Sequence, residues 1–446
     1  MKYLSRKIDQ DLLKWKQSQR RKVLLLRGAR QVGKSSAVRE LGKSFEYFLE
    51  VNLEKDDKEK NIKSVFERGL DVKRICKELS AIYGVPVVSG KTLLFIDEIQ
   101  DCIPAISSLR YFYEELPELH VIAAGSLLEF ALQKIASFGV GRIRSLYMYP
   151  FSFNEFLRAS GEELLADMIQ NDGSPTTPFS DAVHLKCKKL LLDFMYIGGM
   201  PEVVSTYLET GSFIECQDVL EDITQSFYND FAKYRQKANV AVLKEVFAAV
   251  IEQTGEKFTY SKASNNANHI QIKESVNLLE MAGLIYPITH TSANGLPLAA
   301  EQNIKFRKYL IFDTGVYQRF LRLDIAKLLS QEYLEQVNKG AFAELFVGLE
   351  MIKSAPANIP LSLFYWTREK AGANAEVDYV AQIAENIVPI EVKANTKGSM
   401  QSMFQFLKEK NYPYGIRCSM ENFGEFDNIK IYPLYSIGIT NDLQIC

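Results

Sequence analysis

The sequence predicts an α/β fold built as more than one unit, and three of its features carry that prediction. Between residues 21 and 157 short apolar runs alternate with helical spacing: "KVLLLRG", "FEYFLEVNLE", "TLLFIDE", "HVIAAGS" and "RIRSLYMYP". That alternation is the order of a parallel sheet covered by helices. From about 158 to 245 the apolar spacing turns helical, and from about 326 strands return as "LFYWTR", "AEVDYVAQI" and "IVPIEVKA" behind a helix through "AFAELFVGLEMI".

Taken in order, residues 1–20 place Tyr3, Leu4, Ile8, Leu12 and Trp15 on one side of a helix that leans on the sheet segment after it. The sheet domain closes near 157, giving a first unit of 1–157. A helical lid, 158–245, is interrupted by the turn-rich "NDGSPTTPFSD" and by "GGMPE". Residues 246–325 then run "SKASNNANH", "IKESVNLLEMAGL", "IYPITH" and "KYLIFD", a helix-helix-wing order like that of a winged helix. The last unit is 326–446, and no internal repeat or low-complexity tract interrupts the chain.

Composition narrows the classes of function. The 446 residues are 47% hydrophobic and 24% charged, ordinary for a globular chain of about two to four domains. A net charge of −2 excludes a globally basic nucleic-acid binder and leaves room for a local basic groove. The six cysteines, at 76, 102, 187, 216, 418 and 446, form no C-x-x-C pair, which speaks against structural zinc and for a reducing compartment. The N-terminus lacks the apolar core of a secretory signal, and the longest apolar run, around "HVIAAGSLLEFAL", is too short to span a bilayer. The expected location is the cytoplasm, with no membrane partner.

The first chemical signal is Gly28-Ala29-Arg30-Gln31-Val32-Gly33-Lys34-Ser35, followed by Ser36, a full match to G-x-x-x-x-G-K-[ST] set between a strand and a helix. The glycines let the backbone curl so that its N–H groups and the helix N-terminus face phosphates. Lys34 offers a point charge to the β and γ phosphates and Ser35 a magnesium ligand. Downstream, "LLFIDE" sets Asp97 and Glu98 at the end of an apolar strand, the order of a magnesium aspartate followed by a carboxylate that polarises water. Ser126 ends the next strand, either as a polar residue near the γ-phosphate or as a helix N-cap. Arg142 and Arg144 are candidates for a guanidinium acting on a neighbouring subunit's phosphate, with surface strand arginines as the alternative. The cofactors expected at this end are ATP and Mg2+.

With "RGARQVGKSS", "LLFIDEIQ", "AAGSLLEF", "GRIRSLYMYPFSFNEFL" and "YIGGMPEVV" in view, the chain resembles the AAA+ class of P-loop ATPases. It is more closely similar to a prokaryotic family of uncharacterised ATP-binding proteins, over nearly its whole length. The resemblance implies ATP binding with hydrolysis. It also implies that Pro201 of "GGMPE" lies near the adenine, as in a Gly-x-Pro element of related signalling ATPases, where the alternative is a helix-breaking turn. Ser35 departs from the threonine that many relatives carry, and either hydroxyl serves magnesium.

At the other end Asp378 lies in "EVDYV", and Glu391-Val392-Lys393 in "IVPIEVKA". Strand periodicity puts Glu391 and Lys393 on one face. Two carboxylates and an ammonium at a sheet edge can hold magnesium and orient a water for attack on a phosphodiester, and Glu344 on the preceding helix can add a ligand. The set looks like that of the PD-(D/E)xK nuclease superfamily, with Asp378 and Glu391 as metal ligands and Glu344, Asp378, Glu391 and Lys393 as the site. The alternative is a salt-bridged strand edge of little energetic consequence.

The predicted fold class is thus α/β: a parallel-sheet P-loop (AAA+-like) ATPase domain with helical lid, a winged-helix module and a C-terminal restriction-endonuclease-like α/β domain. The helix Ile272–Leu284 carries Lys273, Glu274 and Glu280, poor equipment for a major groove, whereas Lys305, Arg307 and Lys308 on the wing suit phosphates. A protein-contact or inter-domain role is therefore expected of the winged helix ahead of DNA contact. Asp313 in "IFDTG" is a turn-former, and the histidines at 120, 184, 269 and 290 show no ligand spacing. The expected function is an ATP-driven switch coupled to a nuclease-like domain that engages or cleaves DNA. The alternative is a nucleotide-gated DNA- or protein-binding regulator with an inactive nuclease-like scaffold. A trans-acting Arg142 would require an oligomer.

Overall fold

Strand β1 (Val23–Arg27), which leads into the glycine loop, is interior to a five-stranded parallel sheet ordered β2-β3-β4-β1-β5. Its companions are β2 (Tyr47–Asn52), β3 (Thr92–Asp97), β4 (His120–Ala124) and β5 (Ile143–Tyr147). Every residue of β3 and β4 is buried, as a parallel strand covered on both faces requires. The computed structural model describes residues 3–54, 61–126, 128–132, 141–234, 238–322, 339–368, 375–393 and 400–441. It resolves two units, one of Met1–Tyr149 with Met281–Gly283 and Pro356–Pro360, the other of Pro150–Glu280, Leu284–Ala355 and Leu361–Cys446.

In the first unit, Leu25, Leu49, Val51, Leu94, Ile96 and Val121 of the sheet pack with Ile75, Leu79, Ile106, Leu109 and Phe112 of the covering helices. Each such side chain contributes about 1.5–3 kcal/mol by leaving water. The helix Val72–Tyr83 starts where the Asp71 carboxylate accepts hydrogen bonds from the N–H groups of Lys73 and Arg74, and stops at Gly84 in the left-handed conformation. The N-terminal helix, Lys7–Gln17, buries Ile8, Leu12 and Trp15, the stripe that the spacing marks. Its forerunner Arg6 donates to Val32 O at 3.1 Å and Tyr149 O at 2.8 Å, tying the chain start to the glycine loop.

The second unit carries an eight-stranded mixed sheet ordered β12-β13-β11-β10-β9-β8-β6-β7. The strands are β6 (Ile285–Thr291), β7 (Gln302–Ile311), β8 (Leu363–Thr367), β9 (Glu376–Ile383), β10 (Asn386–Lys393), β11 (Gly415–Ser419), β12 (Gly424–Phe426) and β13 (Ile429–Pro433). The expected wing is corrected here. β6 and β7 do form an antiparallel pair, but β6 also pairs in parallel with β8, Ile288 opposite Leu363 and His290 opposite Tyr365. One sheet therefore runs through the expected boundary at 325/326. The physical reason is burial: Ile288, Thr289, His290 and Thr291 are buried in succession, which a wing with one face in water does not allow. The helix His269–Met281 covers most of the expected recognition helix.

The helical segment contains Asp181–Ile197, Pro201–Thr210, Phe213–Asp230 and Val240–Glu252. Its "GGMPE" turn is locked to "DTG" by Asp313, which is fully buried. Asp313 Oδ1 accepts from Val316 N at 3.0 Å and caps the helix Thr314–Phe320, while Oδ2 accepts from Gly199 N at 2.7 Å. Gly198 has φ +75°, and a Cβ there would sit 2.3 Å from Asp313 Oδ1, so the position admits glycine alone. Among the described residues no helix is long and apolar enough to cross a membrane, and the five described cysteines are buried.

Candidate functional site

Gly28 lies at φ +143°, and a Cβ on it would come within 2.1 Å of Met148 O, so the loop can turn there only without a side chain. Gly33 at φ +97° caps the helix Lys34–Gly42, and Ala29 and Val32 are buried. Gln31 is left-handed at φ +63°. Arg30 reaches Glu54 at 3.3 Å. Lys34 is turned back onto the loop, donating to Gly28 O at 2.8 Å and Ala29 O at 2.7 Å. Burial brings its ammonium down to about 8, against the opposing pull of Glu98 and Asp97. Ser36 follows Ser35 in the first turn of the helix.

Ser35 Oγ donates to Asp97 Oδ2 at 2.7 Å, and Asp97 Oδ1 accepts from Glu98 N at 3.0 Å. Burial pushes the Asp97 carboxyl above the usual carboxylate range in spite of both hydrogen bonds. Glu98 sits at φ +50°, and its Oε2 accepts from Gln100 Nε2 at 2.6 Å and Ser126 Oγ at 3.5 Å. The inserted position of β4 between β1 and β3 is what brings Ser126 to Glu98. A hydroxyl and a carboxylate oxygen in contact are hard donors of the kind magnesium takes alongside phosphates and waters, so Ser35 and Asp97 fit that ion. Arg142 Nε lies 3.1 Å from Glu114 Oε1, and Arg144 is exposed on β5. Pro201 occupies the first position of its helix, where a missing N–H costs nothing.

In the second unit the helix Lys339–Ser354 supplies Glu344, β9 supplies Glu376 and Asp378, and β10 supplies Glu391 and Lys393. Asp378 Oδ2 accepts from Val392 N at 2.8 Å, and Lys393 Nζ donates to Glu391 Oε1 at 2.5 Å. The structure thus gathers the expected Glu344, Asp378, Glu391 and Lys393 within reach of one another's charge. It adds two residues that the motif did not name. Lys308 of β7, 1% exposed, is ion-paired to Glu376 and lies 3.9 Å from Glu344 Oε2. This corrects its expected place on a phosphate-facing wing, and Arg307 is likewise taken up by Glu280 at 3.2 Å.

Burial, then Asp378, pushes Glu344 well above the usual carboxylate range, and burial with Asp378 raises Glu391 to about 7. Glu391 Oε2 is buried and has no hydrogen-bond partner among the described residues. The four carboxyl groups outnumber the two ammoniums and offer hard oxygens, so the chemistry of the set fits a divalent cation, whose charge would draw off the protons that burial holds there. Among the described residues, however, no three acidic, histidine or cysteine side chains converge at metal-binding spacing. Lys308 bridges Glu344 and Glu376, and Lys393 takes up Glu391.

Comparison with known proteins bears on the first of these two sites. Residues 20–157 match a family model described as an AAA domain. This stretch is an AAA-type P-loop ATPase domain. Residues 188–327 and 339–437 match models described as domains of unknown function (DUF8612 and DUF4143). Among solved structures the chain is similar to a Walker-type ATPase of Pyrococcus abyssi, at 15% identity over 72% of this chain and 96% of that one, TM-score 0.44. It is also similar to the Aeropyrum pernix Orc1 protein in complex with DNA, at 10% identity over 71% and 90%, TM-score 0.29. A third likeness is to a signal transduction ATPase with numerous domains and a tetratricopeptide repeat sensor from Pyrococcus horikoshii, at 13% identity over 80% and 46%, TM-score 0.28. No curated protein matches this sequence.

Sequence reasoning missed three groups around the AAA domain's loop and the acidic cluster. Arg6 was out of reach because its partners are 26 and 143 residues away. Gln100, two residues beyond Glu98, and Glu376, two before Asp378, were accessible: the first shares the turn, and the second shares a strand face by the period of two.

Proposed function

We propose that this chain is a magnesium-dependent ATPase whose nucleotide state governs a C-terminal, phosphodiester-facing carboxylate site. The observation that carries the ATPase reading is the contact of Ser35 with Asp97 beside a Glu98 held by Gln100 and Ser126. ATP enters with its β and γ phosphates on the loop amides, and Lys34 leaves the Gly28 and Ala29 carbonyls for the phosphate oxygens. Ser35 and Asp97 would hold Mg2+, which supplies charge neutralisation for the phosphates. Glu98 orients a water and accepts its proton as the oxygen attacks the γ-phosphorus and the bond to ADP breaks. Ser126 keeps the Glu98 carboxylate in place.

At the carboxylate site Glu344, Asp378 and Glu391 would hold Mg2+, and Lys393 would steady the charge that builds on a phosphodiester, with DNA as the candidate substrate. A second reading, a nucleotide-gated binding protein on an inactive scaffold, is favoured by the ion pairing of Glu344 with Lys308 and of Glu391 with Lys393. The experiment is ATP turnover together with Mg2+-dependent cleavage of linear and single-stranded DNA by the intact protein, Lys34→Ala and Lys393→Ala. Cleavage that Lys393→Ala abolishes supports the first reading. ATP turnover that only Lys34→Ala abolishes, with no cleavage by any form, supports the second. No turnover at all by the intact protein overturns the first reading, and no nucleotide binding overturns both.

A further inference from the structure

We infer that Lys308 is a tethered cation that occupies the carboxylate site in place of a divalent metal and sets how readily that metal enters, an inference that rests on the cluster being a metal site. Lys308 belongs to neither the acidic helix nor the E-x-K strand; it arrives from β7, on the far side of the β6–β8 pairing. An ammonium this deeply buried gives up its hydration, and opposite charge close by can offset that. The acids do so: Lys308 is ion-paired to Glu376, lies 3.9 Å from Glu344, and also feels Asp378.

Position matters as much as charge. Lys308 draws Glu344 and Glu376 to itself, and it is with this bridge in place that no three acids converge among the described residues. Among the described residues Glu391 Oε2 meanwhile has no hydrogen-bond partner although it is buried, and Lys393 takes the other oxygen. A buried acceptor without a donor is costly, so the site is one cation short at Glu391 and filled by lysine at Glu376. Withdrawal of Lys308, whose strand lies at the edge of the sheet, frees the acids for a divalent ion.

The test is Mn2+ binding to the full-length protein without nucleotide, read by the electron paramagnetic resonance of free Mn2+. The proteins are the natural chain, Lys308→Met, Lys308→Met with Glu376→Gln, and each of these with Asp378→Asn. Removing one unit charge a few ångströms from the ion should tighten Asp378-dependent binding about tenfold or more in Lys308→Met. The Lys308→Met/Glu376→Gln pair removes the ion pair as a unit, so it guards against a single variant that fails to fold, and it keeps the site's net charge. Tighter binding there assigns the effect to the vacated position. Asp378-dependent binding that is equal or weaker in the folded Lys308 variants overturns the inference and leaves the metal-site reading standing. No Asp378-dependent binding in any form overturns both.

Discussion

Ser35 Oγ donates to Asp97 Oδ2 across 2.7 Å, joining the residue after Lys34 to the end of a strand 62 residues on. The pair presents two oxygens at one place while keeping the Asp97 carboxylate from lying buried without a donor. Asp97→Asn can keep its oxygen on the Glu98 N–H and donate from its NH2 to the Ser35 hydroxyl, which accepts as well as donates, so its melting temperature should stay close to that of the natural chain, whereas the negative charge proposed to hold magnesium is lost. The expected result is a fall of about 100-fold or more in ATP turnover with nearly unchanged thermal unfolding, measured by phosphate release and calorimetry. A variant that turns over ATP normally would show that Asp97 has no part in the chemistry.

Glu98 is held by Gln100 at 2.6 Å and approached by Ser126 at 3.5 Å, so its orientation is set before any nucleotide arrives. Glu98→Gln should leave ATP binding intact and slow hydrolysis by about 10²–10⁴-fold, the usual worth of a general base. Nucleotide trapping on a filter, compared with single-turnover hydrolysis, separates the two. Equal losses of binding and hydrolysis would instead assign Glu98 to the fold of the loop.

His120 faces Trp15 and Phe45, with ring centroids 5.7 and 4.8 Å away, and burial, then Arg21, lowers its pKa to about 4. The folded state therefore holds the imidazole neutral, while the unfolded chain takes up a proton below about pH 6.5. Stability contributed by the neutral ring is present above pH 6.5 and is lost as pH falls toward 4. In that window one extra proton on the unfolded state makes stability fall by about 1.4 kcal/mol per pH unit. His120→Phe should remove that slope, as chemical denaturation from pH 4 to 7 would reveal. An unchanged slope would mean that the acid sensitivity lies elsewhere.

What was legible in the sequence was whatever is local. The glycine loop is contiguous, so its match to a phosphate-binding turn needed no tertiary information, and the same-face pairing of Glu391 with Lys393 came from a period of two. The strands of the first sheet announced themselves as apolar runs because both faces are covered. The direction of Lys34 was not legible: with phosphate in mind it points outward, yet here the nearest acceptors are the loop's own carbonyls. Lys308 was misplaced for a deeper reason. Its strand reads equally well as a wing or as a sheet edge, and only the pairing of Ile288 with Leu363, 75 residues on, sends it among the acids. Asp313 was seen as a turn-former because its local partner is Val316, while Gly199 is 114 residues away.

That last contact gives a sharp stability prediction. Asp313 accepts Val316 N on one oxygen and Gly199 N on the other, so both of its oxygens face donors inside the protein. Asparagine preserves size but replaces one acceptor with an NH2, which would then face an N–H. Asp313→Asn should accordingly destabilise the second unit nearly as much as Asp313→Ala, each by about 2–4 kcal/mol, because either change strands a buried donor. Gly198→Ala attacks the same contact from the other side, since its methyl would stand 2.3 Å from Asp313 Oδ1 at a backbone φ of +75°. It should cost at least as much, about 3 kcal/mol or more. Urea unfolding followed by tyrosine and tryptophan fluorescence measures all three, and an Asp313→Asn variant as stable as the natural chain would show that one of the two hydrogen bonds contributes nothing.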